Sequence, residues 1–315
     1  MTIHKSKVAV AGCGLVGSSI AFSLLVQGLC DELLLLDSNR EKALGEAMDL
    51  KDCIGYLGRN TRVRVGNYED CGDADVVLIA AGPPPRPGQT RLDTLDASVA
   101  VARAIVEPIR KSGFDGIFLI VSNPVDVISH YVLRLSGFPK TRVIGSGTAL
   151  GSSRLQNLLG GILRVDPRSV HALAMGEHGD SQMIPWSCVT VSGKPIAGLL
   201  AGGGELQGLA EKTARRGFEI LNRKGATCYG IAAAATGILK AVLQDENRIL
   251  PVSTLLEGEY GENNVFCGVP AILNRTGVAD VLELGLTAEE LSLFRASAAV
   301  IRDTSEKLFA RENLL

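Results

Sequence analysis

The chain holds four histidines, His4, His130, His171 and His178. His178 stands apart by its neighbours. It lies in Met175-Gly176-Glu177-His178-Gly179-Asp180-Ser181, after a strand-like run at 169–174. Flanking glycines let the backbone turn and present the ring at a strand end. Imidazole titrates near neutrality and suits general acid–base transfer. His171 alternates within an apolar run and reads as a packed or interface residue. His130 falls in a helical pattern and His4 near the terminus, and no catalysis is assigned to either. No second histidine or cysteine stands at ligand spacing, so no metal is expected. Arg154 closes Gly147-Thr148-Ala149-Leu150-Gly151-Ser152-Ser153-Arg154. Its planar guanidinium can clamp a carboxylate through two parallel hydrogen bonds; a surface ion pair is the other reading. Asn123, in Ser122-Asn123-Pro124-Val125-Asp126, follows an apolar strand, at the edge where open α/β sheets bind ligands. A turn or helix cap set by Pro124 would use the same residue.

A second kind of chemistry is written near the N-terminus. Gly12-Cys13-Gly14-Leu15-Val16-Gly17 follows a strand pattern and opens a helical one, and Asp37 ends the next strand twenty residues after Gly17. This is the spacing of a dinucleotide-binding turn. Gly12 allows the tight turn, Gly14 lets a pyrophosphate approach, and Gly17 lets helix and strand pack closely. The helix N-terminus then offers its N–H groups to phosphate. Asp37 would accept bonds from ribose hydroxyls and repel a 2′-phosphate, which favours NAD over NADP. Arg40, three residues on, softens that choice slightly.

A third stretch, AGPPPRPGQTRLD at 81–93, has four prolines within five positions and two arginines, Arg86 and Arg91. It follows a nearly pure apolar run at 74–81. It is either a stiffened functional loop or a proline-rich surface loop with solvated arginines.

These residues need a scaffold. Strand patterns at 8–11, 33–37, 62–66, 76–80, 117–122 and 143–145 alternate with helical ones at 15–28, 40–53, 94–112 and 125–136. Such alternation, with continuous apolar strands such as LLLLD and FLIVSN, predicts a parallel sheet covered on both faces. Beyond 147 the order changes: a hairpin near 186–196, helices over 206–224 and 230–243, strands at 248–256 and 265–273, and a C-terminal helix over 288–310. The expected fold is therefore α/β. An N-terminal Rossmann-type domain over 1–146 would bind NAD, and a C-terminal α+β domain over 147–315 would carry His178 and Arg154 as the candidate catalytic, substrate-binding half. No long linker, repeat or low-complexity tract is visible. A net charge of −2 gives no basic footprint for nucleic acid or an anionic membrane. Seven scattered cysteines without a CxxC argue for a reducing cytoplasm rather than a disulfide frame.

The motifs GCGLVG with Asp37, PGQTRLD, SNPVDV, GTALGSSR, GEHGDS and KGATCYGIA occur here in the order of the lactate/malate dehydrogenase family, which the chain resembles over nearly its whole length. GEHGDSQ and the KGAT segment look closer to the L-lactate and L-2-hydroxyisocaproate branch. The resemblance implies an NAD-dependent enzyme that interconverts a small 2-oxo acid and an L-2-hydroxy acid. His178 would be its acid–base group and Arg91 would polarise the carbonyl from a mobile loop. Arg154 would hold the substrate carboxylate, Asn123 would contact nicotinamide and substrate, and Thr227 would face the pocket. Ala81 and Gly82 would flank the cofactor at the loop's hinge. It also implies a homotetramer or homodimer.

Three departures qualify this. At the family's specificity position stands Pro85, which offers a small apolar surface and favours a monocarboxylic substrate. A one-residue shift of the loop would instead bring in Arg86 and recover dicarboxylate recognition, so malate stays open. Gly151 stands where the family has an aspartate that steadies the histidine. That implies a less readily protonated His178 and weaker catalysis, with Ser152, Ser153 or water as substitutes, or an NAD-binding protein that has lost turnover. Finally, the family's bisphosphate effector site matches at His171 but has Gln156 for an arginine, so no strong activation is expected.

Overall fold

The computed structural model describes residues 5–83, 94–200 and 203–314, with side chains of 203–205 outside that set. Six strands and four helices alternate through the first half, in the order β1 (Lys7–Ala11), α1 (Leu15–Gln27), β2 (Glu32–Leu36), α2 (Arg40–Cys53), β3 (Arg62–Val65), β4 (Val76–Ile79), α3 (Leu95–Lys111), β5 (Ile117–Ile120), α4 (Val125–Ser136) and β6 (Val143–Gly145). In the second half come α5 (Ala149–Leu163), β7 (Val170–His171), β8 (Thr190–Val191), β9 (Lys194–Pro195), α6 (Gly203–Lys224), α7 (Tyr229–Leu243), β10 (Arg248–Glu257), β11 (Asn263–Asn274), β12 (Gly277–Val281) and α8 (Ala288–Glu312). The expected strands and helices are found with their ends moved by a few residues. The short strand β12 was not anticipated. Of the strand-like run at 169–174, only β7 pairs as a strand.

The larger sheet runs β12-β11-β10-β6-β5-β4-β1-β2-β3. Its strands β1 to β6 are parallel, as expected, and take a doubly wound order. The second half does not build a separate large sheet. Instead β10 pairs antiparallel with β6 through Ser253 and Gly145, so β10, β11 and β12 extend the first sheet. A small sheet, β7-β8-β9, stands apart and contains the expected hairpin.

Period-two alternation sorts the strand side chains into two cores. Ala9, Leu34, Val77, Phe118 and Ile120 face one side, with α3, α4 and α8 residues such as Val106, Tyr131 and Phe294. Val8, Val10, Leu33, Leu35, Leu78 and Leu119 face the other, with Ile20 and Leu24 of α1 and Ala235 and Ile238 of α7. Both faces are apolar, which is why these strands read as unbroken hydrophobic runs.

His130 belongs to the first of these cores. It is 1% exposed and its ring meets Phe309 edge-on at 4.6 Å and Phe266 at 5.4 Å. Burial, aided by the nearby Arg134 cation, pulls its pKa down to about 3. The unfolded chain takes up this proton near pH 6.5, so it binds more protons than the fold between those values. Stability therefore falls as pH drops from about 6.5 towards 3, by about 1.4 kcal/mol per pH unit from this group. His130→Leu should flatten that dependence. Urea midpoints at pH 7 and 5 for both proteins check it, and equal losses in both would place the effect elsewhere.

Candidate active site

The glycine turn follows β1 and its three glycines have distinct environments. Gly12 has φ of +99°, and an added Cβ would stand 2.7 Å from the backbone nitrogen of Ala81. At Gly17 an added Cβ would overlap the Gly12 carbonyl. At Gly14 it would meet nothing within 4 Å, so the backbone there is open to a ligand. Gly14 is also the N-cap of α1 and supplies no capping side chain. The first-turn N–H groups are then available to an anion. Leu15 opens α1 and is exposed, and Val16 follows it half-buried.

Asp37 comes directly after β2. It accepts the Cys13 N–H at 2.7 Å on one oxygen and the Asn39 N–H at 2.8 Å on the other. Each oxygen keeps a second lone pair for a ribose hydroxyl. Arg40 reaches the Asn67 side chain at 3.4 Å. Cys13 beside it is 1% exposed; burial and the Asp37 charge push its thiol up to about 12, so it stays protonated and unreactive. These residues fit a dinucleotide.

Gly12, Asp37, Ala81 and Asn123 all lie just beyond the carboxyl ends of β1, β2, β4 and β5, along one edge of the sheet. Ala81 is fixed to the β5 end by the Ser122 hydroxyl, which donates to its carbonyl at 2.5 Å. Gly82 is exposed beside it. Asn123 is exposed and does not cap α4, since Pro124 occupies that position. Pro85, Arg86 and Arg91 lie outside the described residues.

His178 is held on a short loop pinned at three places. Met175 and Met183 bridge its base with backbone bonds of 2.8 and 2.9 Å. Gly176, at φ +89°, exchanges two 2.9 Å bonds with Gly268 of β11. The His178 N–H donates to Asp126 Oδ2 at 2.8 Å. Asp126 sits in the first turn of α4, is 3% exposed, and also accepts the Ser253 hydroxyl at 2.6 Å. Glu177 accepts the Ser181 hydroxyl at 2.5 Å, and its N–H donates to Ser297 at 2.8 Å. Asp126, three residues after Asn123, thus ties the histidine turn to the ligand edge of the sheet. Nothing local in SNPVDV marks Asp126 for this part, because its partner is 52 residues away.

Arg154 is half-buried on α5. An added Cβ on Gly217 would lie 3.3 and 3.4 Å from its two terminal nitrogens, so its guanidinium rests against α6 where no side chain intervenes. Gly151 and Arg154, three apart, share one face of α5. Ser152, Ser153 and Gln156 point to the opposite face, which corrects the expectation that a serine stands in at Gly151. Ser152 donates to the Thr148 carbonyl at 2.9 Å and accepts the Ala174 N–H at 2.9 Å. That opposite face lines a separate cavity of about 690 Å³, with His171 and Arg248 on its wall and neither His178 nor Arg154. Thr227 is half-buried in the segment before α7, whose Gly230 packs against Leu150 of α5. Among the described residues no group of His, Cys, Asp and Glu could hold a metal ion, and no helix is long and apolar enough to cross a membrane.

Comparison with known proteins places this geometry. Residues 6–145 match the lactate/malate dehydrogenase NAD binding domain, and 148–312 match the lactate/malate dehydrogenase alpha/beta C-terminal domain. L-lactate dehydrogenase 3 of Bacillus cereus is 52% identical over 309 residues, covering 96% of this chain and 98% of its own. An L-lactate dehydrogenase of Lactococcus lactis subsp. cremoris is 44% identical, covering 98% and 100%. The minor L-lactate dehydrogenase of Enterococcus mundtii, in its ligand-bound crystal form, superposes with a TM-score of 0.93 at 42% identity, covering 96% and 98%. With both halves matched in order, the chain belongs to the lactate/malate dehydrogenase family.

Proposed function

We propose that this protein is an NAD-dependent L-lactate dehydrogenase. The carrying observation is the His178 loop, fastened by Asp126 to the same sheet edge that holds Gly12, Asp37 and Asn123. When bound, NADH supplies the hydride. His178 gives the proton that turns the substrate's carbonyl oxygen into a hydroxyl, and takes it back in the reverse direction. Arg154 holds the carboxylate through two charge-assisted bonds. Arg91 polarises the carbonyl, so that positive donors converge where negative charge develops. Asn123 orients nicotinamide and substrate, and Thr227 and the small apolar surface of Pro85 shape the pocket for a monocarboxylate. Residues 1–146 carry the cofactor and 147–315 the substrate.

The protein works in the cytoplasm as a homotetramer or homodimer. Support for self-association comes from Phe22 and Val26 on α1 and Met48 on α2, which are 50%, 49% and 67% exposed. The test of function is steady-state NADH oxidation with pyruvate, 2-oxobutyrate, 2-oxoisocaproate, phenylpyruvate and oxaloacetate. Pyruvate should give the highest kcat/KM. A preference for 2-oxoisocaproate would move the assignment to the hydroxyisocaproate type, and one for oxaloacetate would assign the specificity role to Arg86.

A further inference from the structure

His178 stands on a turn whose shoulders, Glu177 and Ser181, meet at one hydroxyl from the far end of the chain. Ser297 lies in α8 and is 1% exposed. Its oxygen accepts the Glu177 N–H at 2.8 Å and stands 3.0 Å from the Ser181 oxygen. A serine has a single hydroxyl proton, and that of Ser181 goes to Glu177 Oε2 at 2.5 Å. The proton between the two serines is therefore the one on Ser297. The bonds close a ring: the Glu177 N–H donates to Ser297, Ser297 to Ser181, and Ser181 to the Glu177 carboxylate.

The glycines on either side of the histidine make room for this ring. At Gly176, with φ of +89°, an added Cβ would overlap the Ser297 hydroxyl and lie 2.9 Å from its Cβ. At Gly179 it would overlap the Glu177 carboxyl group. The first glycine admits the helix hydroxyl and the second admits the folded-back carboxylate. Ser297 itself is firmly seated, because its neighbours Phe294, Ala298 and Ile301 on α8 are buried in the core. A packed helix thus holds a short loop by both shoulders, and rigid elements position a site more closely than loops do.

We infer that Ser297 is a positioning residue for His178: through its ring with Glu177 and Ser181 it sets how far the histidine turn stands from α8, and so where the imidazole meets the substrate carbonyl. The inference rests on the acid–base role of His178 proposed above. Ser297 acts through the backbone of the turn. A displacement of about 1 Å in a reacting group costs about 10²-fold in rate. Carboxylate binding by Arg154 and dinucleotide binding at the glycine turn come from other elements, so the ring bears on the proton step and not on them.

The experiment measures pyruvate reduction, NADH affinity and urea midpoints for wild type, Ser297→Ala, Ser181→Ala and the double variant. Ser297→Ala removes the acceptor of the Glu177 N–H and the donor to Ser181 at once. It should lower kcat by about tenfold or more, with KM for pyruvate and NADH affinity within about twofold of wild type. Ser181→Ala opens the same ring from the loop side and should lower kcat by about threefold or more. The double variant should lose no more than Ser297→Ala alone, because members of one unit do not add. A kcat within about twofold of wild type in Ser297→Ala, equal losses in kcat and both affinities, or losses that multiply in the double variant would each overturn the inference. Ser181 is only half-buried, so its variant decides alone if the urea midpoint shows Ser297→Ala unfolded: an unchanged kcat there overturns the inference. His178→Asn separates the two levels. If it abolishes turnover while the serine variants keep theirs, only this inference fails. If turnover survives it, the assignment of His178 fails and takes this inference with it.

Discussion

Replacing His178 by asparagine lowers kcat for pyruvate reduction by about 10²–10⁴-fold, the range of general acid–base assistance. NADH binding stays as it was, because the glycine turn and Asp37 are untouched. Asparagine suits the test because the loop's bond to Asp126 comes from the residue's backbone N–H, which the change preserves. Steady-state kinetics give the loss, and a fluorescence titration with NADH shows that cofactor affinity holds. No other described histidine is placed to take over. His130 is sealed among phenylalanines, and His171 is exposed on the separate cavity. A variant that kept a tenth of wild-type turnover would put the proton donor outside this loop.

Arg154→Gln comes next in size. A hydrogen bond to a charged group contributes about 1.5–3 kcal/mol, and a two-pronged clamp about twice that. Losing it should lower kcat/KM by about 10²–10⁴-fold, carried mainly by KM. Arg154→Lys should recover only part, since a point charge cannot bridge both oxygens. The diagnostic readout is the ratio of activity on pyruvate to activity on its uncharged methyl ester. That ratio should collapse in the variant. If both substrates lose equally, Arg154 supports the fold between α5 and α6 rather than the carboxylate.

Short-range patterns in the chain carry much of this site. The glycine turn and Asp37 are legible because tight turning, phosphate approach and ribose contact are needs of consecutive or regularly spaced residues. His178 and Arg154 stand out through glycine flanks and side-chain chemistry. The strands of the parallel half announce themselves because both their faces are buried. What the residues do not display is pairing at a distance. Arg248–Glu257 reads as a strand, yet nothing local says that Ser253 will meet Gly145 and join two halves in one sheet. Asp126 lies within a quoted motif, but its bond to His178 crosses 52 residues. The serines beside Gly151 were the nearest substitutes along the chain. Helix geometry turns them away, and the side chain of Gln182, 31 positions later, takes the room beside Gly151. Which loop register presents Pro85 or Arg86 lies beyond the described residues.

The continuous sheet has a consequence for how this molecule could be taken apart. The family's two modules abut near residue 146, and a protein engineer would cut there to obtain a freestanding cofactor binder. Yet β6 ends at Gly145 and is sealed by β10 from the other module. A fragment stopped at that seam would carry a bare strand edge, with unpaired N–H and C=O groups inviting another copy to add on. The modules can be told apart by ancestry, but they are not separable goods. Each finishes the other's backbone, and a workable excision would have to take β10 and β11 along or recode β6 as an outer strand.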